Sequence, residues 1–318
     1  MLSFFPIIYS DELLYSVLAR YHIRSGNQNF SQTDIDLFGY SSRQVGRVTL
    51  TNNVKHLAQE IAHLSAHNVK ELMHKHTLYP FYKAFLTYID KRKLEMAMIE
   101  KRSGAILEQA KVDPYSYNDR RKYLKFCHLC LESEIEQYGE PYWHRLHQVP
   151  GIMVCPHHKI PLIDSSVPID GKGVHYYAAS LSNCNVDIAQ VKLVSESIET
   201  LLGIATDIQW LMNSRMDFQG MRWLRERYLA QMVKLGLAHK RLRGEVHCDT
   251  QELLKSFCTF YGRDCLNLLE HRFILTDGNY LIHCLLSNDL DPKIDRVAHF
   301  LITRYLSGSI AEFFTLND

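Results

Sequence analysis

The chain has 318 residues, of which 46% are hydrophobic and 22% charged, and its net charge is +1. That is enough apolar material for a sizeable core spread over two or three units, while the near-zero charge excludes a globally cationic nucleic-acid binder. No segment reaches the roughly 18 uninterrupted apolar residues of a membrane helix, and MLSFFPIIYSDELL carries no basic stretch leading into a long apolar one, so the expected setting is the cytoplasm, with reduced thiols and no membrane partner.

The first fifty residues carry three helical signals in quick succession. Ser10 is placed to cap a helix with Leu13, Leu14, Val17 and Leu18 on its apolar face, with Asp11 and Glu12 complementing the dipole and Gly26 stopping it. Ser31 with Asp34 resembles a capping box ahead of Ile35, Leu37 and Phe38, and Gly39 ends that element. Ser41 with Gln44 repeats the box, so a third element would present Arg43 and Arg47 outward, as in a helix-turn-helix. A plain helical bundle with solvated arginines explains the same pattern.

Residues 53–110 continue as helices: Val54, Leu57, Ile61 and Leu64 recur at helical spacing, as do Met96, Ile99, Ile106 and Leu107. Between them HKHTLYPFYKAF places Tyr79, Phe81, Tyr82 and Phe85 around Pro80, which reads as packing at a helix junction rather than metal binding by His74 and His76. NDRRKYLKF follows, a basic run with Arg120, Arg121, Lys122 and Lys125 interleaved with aromatics, a phosphate-contacting edge or a solvated face.

The run leads into Cys127, Cys130, Cys155 and His158, the pattern C-x2-C-x24-C-x2-H. Two residues between paired ligands let both side chains of a tight turn converge on one ion, and thiolates with an imidazole suit tetrahedral Zn2+. Four protein ligands leave no place for a reactive water, so the expected site is structural. The alternative is three core thiols and a surface histidine, and His128, His144, His147 and His157 compete for the fourth position. Tyr138, Tyr142 and Trp143, between the ligand pairs, are expected to wrap and dock the module. Cys184, Cys248, Cys258, Cys265 and Cys284 have no C-x2-C partner and read as buried small hydrophobes.

Beyond a Pro/Gly-rich stretch near Gly171, residues 191–240 return to helix, with Arg222, Arg225 and Lys234 on a face opposite Met221, Leu224, Tyr228 and Leu229. HKRLRG supplies Lys240, Arg241 and Arg243, Asp249 with Glu252 forms another capping box, and the last helices turn at Ser307-Gly308, a second arrangement compatible with a helix-turn-helix. Lys293, Arg296 and Arg304 are further DNA-contact candidates there. The expected fold is mainly α. A helical, helix-turn-helix-like domain spans 1–119, a zinc module with short strands 120–175, a helical connector 176–240, and a second helical, helix-turn-helix-like domain 241–318. No G-x-x-x-x-G-K-[ST], G-x-S-x-G, G-x-G-x-x-G or H-E-x-x-H is present, so the expectation is a protein that is not an enzyme.

Four stretches, PIIYSDELLYSVLARYHIRSG, HKHTLYPFY, CHLCLESEIEQYGEPYWHRLHQVPGIMVCPHHKIPL and RVAHFLITRYLSGSIAEFF, resemble the TniQ/TnsD family of transposon target-selection proteins. The resemblance implies a non-enzymatic protein that binds double-stranded target DNA or a CRISPR guide complex and recruits an AAA+ transposition ATPase, which licenses the transposase. It also implies zinc on Cys127, Cys130, Cys155 and His158. Longer family members continue past the region matched here, so the resemblance also fits a fragment. An adaptor that links a guide-RNA complex to the ATPase without gripping DNA is the other reading, and the near-neutral charge suits it.

Overall fold

The computed structural model describes residues 2–42, 46–100, 106–111, 122–169, 176–186, 195–214, 216–240, 246–270, 272–286 and 294–315. Among them the chain is mainly helical, with four short strands in two antiparallel pairs.

The chain begins with α1 (Leu14–Ser25) and α2 (Phe30–Phe38). Both stop as expected, at Gly26 (φ 73°) and Gly39 (φ 75°), because left-handed backbone carries little penalty without a Cβ. The starts differ from expectation. Asp11 takes a positive φ of 52°, which turns Glu12 into the interior, so α1 begins only after Leu13 and Ser10 caps nothing. Asn29, not Ser31, caps α2 by accepting the Gln32 N–H at 2.8 Å. Asp34 instead accepts the hydroxyls of Tyr176 (2.6 Å) and Ser41 (2.9 Å). With Ser41 drawn back to α2, no helix occupies the described part of residues 40–53. Arg47 therefore lies outside any helix, and Arg43 falls outside the described residues.

Helices α3 (Val54–Ile61), α4 (Val69–His76), α5 (Tyr79–Tyr82), α6 (Tyr88–Ile99) and α7 (Ile106–Gln109) follow. Val54, Leu57 and Ile61 are buried, and α4 opens with a capping box between Asn68 and Glu71. On α6 the buried face is Leu94, Ala97 and Met98, one position away from the expected Met96 and Ile99. The aromatic knot around Pro80 is buried as expected, with Phe81 and Phe85 packing on Phe300 at ring distances of 5.5 and 5.1 Å.

Strand β1 (Tyr123–Phe126) precedes α8 (His128–Tyr138) and pairs antiparallel with β2 (Ile163–Pro168). Downstream lie α9 (Ser195–Asn213), α10 (Met221–Lys234) and a two-residue hairpin of β3 (His239–Lys240) and β4 (Val246–His247). Then come α11 (Thr250–Tyr261), α12 (Arg263–Leu269), α13 (Arg272–Leu275), α14 (Asn279–Leu286), α15 (Arg296–Ser307) and α16 (Ile310–Thr315). Asp249 caps α11 through the Gln251 and Glu252 N–H groups, and Gly308 separates α15 from α16, both as expected.

Three arginines expected on solvated or DNA-facing surfaces are buried or engaged. Arg225 is buried on α10. Arg296, 3% exposed, donates to the carbonyls of Tyr82 and Ala110 at 2.5 Å, so α15 is pinned to α5 and to the turn after α7. Arg304 pairs with Asp207 of α9 at 2.6 Å. Arg296 and Arg304, held by carbonyls and a carboxylate far along the chain, are structural ties.

Candidate metal centre

β1 delivers Cys127 to the N-cap of α8, and Cys130 sits one turn inside that helix. The second pair lies on a tight turn closed by the Val154–Pro161 bridge, with Cys155 N–H donating to Ile160 O at 2.8 Å and Lys159 N–H to Cys155 O at 2.7 Å. Lys159 adopts φ 57° to complete the turn, and the His158 N–H points at Cys155 Sγ, 3.4 Å away. The β1–β2 pairing brings the two segments together.

The four donor atoms all lie within 4.8 Å of one another. His158 presents Nδ1, which is 3.4 Å from Cys127 Sγ, 3.3 Å from Cys130 Sγ and 3.8 Å from Cys155 Sγ, while Cys130 Sγ is 3.8 Å from Cys155 Sγ. Zinc bonds of about 2.3 Å to sulfur and 2.0 Å to nitrogen give tetrahedral edges near 3.8 Å between sulfurs and 3.5 Å between sulfur and nitrogen. The observed edges match both, so these residues could hold a metal ion of this size. The three cysteines are buried and His158 is half-buried.

Crowding perturbs the thiols. The hydrogen bond with Cys130 pulls Cys127 down, but the one with Cys155, together with burial, outweighs it and pushes the thiol up to about 11. Cys130 is driven up by its bonds with Cys127 and Cys155 and by burial, and Cys155 is pulled down by the hydrogen bonds of Cys127 and Cys130, with His147 contributing. His147 supports the ligand Cys155 rather than competing for the ion. His144 contacts Glu134, which lies with Cys130 and His144 in a second acid-thiol-imidazole group on the same wall. Such outer groups orient ligands and tune their basicity. His128 keeps a buried Nδ1 without a hydrogen bond.

The centre is fastened to α1. Leu13 N–H donates to Trp143 O (2.9 Å), Arg145 N–H to Asp11 O (2.7 Å), and Trp143 N–H to Ser16 Oγ (3.0 Å). Trp143 is 1% exposed and donates its indole N–H to Tyr177 O, confirming the expected packing role. Beside it Arg20 lies between Glu12 (2.9 Å) and Glu140 (2.6 Å), with its guanidinium 4.3 Å from the Tyr9 ring. A cleft of about 860 Å³ opens between the N-terminal segment, α8, the ligand turn and the end of α9, with Asp11, Glu134, His144, His147 and His157 on its walls.

Of the basic candidates, only some lie among the described residues. Lys122 is exposed beside β1, but Lys125 pairs with Asp164 of β2 at 3.2 Å, so the basic edge is partly neutralised within its own sheet. Arg120, Arg121, Arg241, Arg243 and Lys293 lie outside the described residues, and of Lys240 only the backbone, in β3, is described.

A family model described as TniQ matches residues 3–162, which takes in α1 through α8 and all four candidate ligands. That is half of the chain, and the chain belongs to the TniQ family. Over 154 residues it is 25% identical to the Transposon Tn7 transposition protein TnsD of Escherichia coli, an alignment covering 48% of this chain and 30% of that relative. The chain thus matches under a third of the relative's length.

Proposed function

We propose that the chain is a target-site selector in a transposition system, with a structural zinc ion on Cys127, Cys130, Cys155 and His158. It binds target DNA through local basic patches and recruits an AAA+ ATPase regulator, with no catalysis of its own. The observation that carries this reading is the family match across residues 3–162, which encloses a donor tetrahedron of zinc dimensions. Zinc bound there has four protein ligands, so it clamps the ligand turn to α8 and holds β1 and β2 in register. Among the described residues no helix is long and apolar enough to cross a membrane.

Contact with phosphates displaces condensed counterions, so affinity depends on salt. A target duplex titrated with the chain in an electrophoretic shift over a salt series should give a log–log slope of about −3 or steeper if three or more phosphates are neutralised. A flat response would leave the adaptor reading, in which the chain docks onto a guide-RNA complex and never grips DNA. The net charge of +1 is what favours that second reading.

A further inference from the structure

Glu134 lies four residues after Cys130 on α8, so both side chains leave the same face of the helix one turn apart. His144 reaches that face from the segment after Tyr142, and its Nε2 contacts Glu134 Oε1. The Cys130 sulfur, a Glu134 carboxylate oxygen and a ring nitrogen of His144 all lie within 4.8 Å of one another. Thiolate, imidazole and carboxylate are together a donor set for zinc and for other divalent ions of similar size. All three residues line the cleft of about 860 Å³, so an ion has a route in and water can fill its remaining position.

The surroundings hold these donors in place. The other oxygen of Glu134 accepts the Tyr142 N–H at 3.1 Å, which leaves Oε1 turned to His144. The His144 ring packs on the rings of Tyr142 and His147, both at centroid distances of 4.6 Å. Its second nitrogen, Nδ1, faces Asp11 Oδ2 at 3.9 Å. Asp11 is itself fixed by the Arg145 guanidinium and the Leu146 N–H, each at 3.0 Å. A carboxylate behind a ligating imidazole is the arrangement that sets a metal-binding tautomer and raises ligand basicity. An ion pair between Glu134 and His144 accounts for their contact alone; the thiol, the Asp11 carboxylate behind the ring and the opening to the cleft are what a metal needs in addition.

We propose that Cys130, Glu134 and His144 form a second, weaker site for a divalent metal ion, with the Cys130 sulfur bridging it to the zinc on Cys127, Cys130, Cys155 and His158. The site rests on the zinc reading above through that shared sulfur. The second ion takes the place of the proton between Glu134 and His144. It is held less tightly than the first because it has three protein ligands rather than four, and one of them is already committed. It ties α8 to the segment whose Trp143 and Arg145 hold the N-terminal residues.

The test starts from the full chain carrying its single structural zinc and adds Co2+, followed by absorbance and by metal analysis after desalting. A further equivalent should bind while the zinc stays, and a sulfur-to-cobalt charge-transfer band should rise with it, because the donor set includes a thiolate. Cobalt on surface histidines gives no such band. Glu134→Gln, which keeps an acceptor for the Tyr142 N–H, and His144→Gln should each abolish the band and leave the zinc in place. Asp11→Asn should weaken cobalt binding by about 10-fold or more, the usual effect of losing an outer carboxylate. The wild-type titration decides even where a variant unfolds. A zinc-loaded chain that gains no sulfur band, a band that grows only as zinc leaves, or a folded Glu134→Gln variant that keeps the wild-type band overturns the proposal while the structural zinc stands. A chain that holds no zinc on its four ligands overturns both readings.

Discussion

Replacing Cys155 by serine should reduce bound zinc from about one equivalent per chain to almost none and unfold the segment between β1 and β2. Structural zinc in small modules contributes apparent binding free energies of about 10–16 kcal/mol near neutral pH, and that binding is folding free energy. Cys155 is the ligand with the most at stake, because its backbone closes the turn in both directions and its sulfur also accepts from the His158 N–H and from His147. Metal analysis on the purified variant, paired with limited proteolysis, reads both effects. The loss should spread beyond the module: Trp143 and Arg145 hold α1 through Leu13, Ser16 and Asp11, so protection of the N-terminal helices should fall with the metal. Retention of stoichiometric zinc by the serine variant would show that the ligand set is wrong. Chelation of the wild type should reproduce the variant, since both remove the same cross-link.

Arg20→Leu should destabilise the chain by about 3–5 kcal/mol, the cost of stranding a buried charge after its partner is removed. Glu12 is fully buried, and it accepts from the Tyr9 N–H and the Ser16 hydroxyl as well as from Arg20. The pH dependence between pH 5 and pH 8 should steepen. In the wild type, burial pushes the Glu140 carboxyl up, but the hydrogen bond and charge of Arg20, followed by Arg24, outweigh it and hold the group below the usual carboxylate range. A carboxyl lowered in the folded state contributes stability above its unfolded pKa, near 4.5, and that contribution is lost as pH falls through the lowered value. Glu12 is raised by burial, against the pull of Arg20. Without Arg20 it rises further, so its contribution is present below the unfolded value and lost as pH climbs through the folded one. The variant should therefore recover more stability between pH 8 and pH 5 than the wild type, in which Arg20 limits the rise of Glu12. Urea unfolding at pH 5 and pH 8 separates the two, and parallel pH profiles would contradict the assignment of Glu12 as the stranded charge.

What could be read from the residues in advance was what depends on near neighbours. The C-x2-C and C-x2-H spacings imply convergence because a tight turn leaves the side chains little freedom, and the structure brings all four donors together. Gly26, Gly39, Asp249 and Gly308 could be read because each acts on its own helix end. The misjudged residues are those whose partners lie far along the chain. Arg296 and Arg304 look like exposed basic positions on an amphipathic helix, but Tyr82, Ala110 and Asp207 are carried to them by tertiary packing. Ser10 and Ser31 are good caps by type. They lost to the inward turn at Asp11 and to Asn29, which starts α2 where Phe30 can pack against Tyr176.

If this TniQ-family chain connects a DNA target to the transposition ATPase, as proposed, the three should assemble together. A labelled target duplex is mixed with the zinc-loaded chain, with a cognate AAA+ transposition ATPase, and with both, and resolved in a native gel at moderate salt. A slower species containing all three components should form only when the chain is present and be lost with Cys155→Ser. A chain that neither shifts the duplex nor alters the ATPase's own migration, while carrying its full zinc, would contradict it.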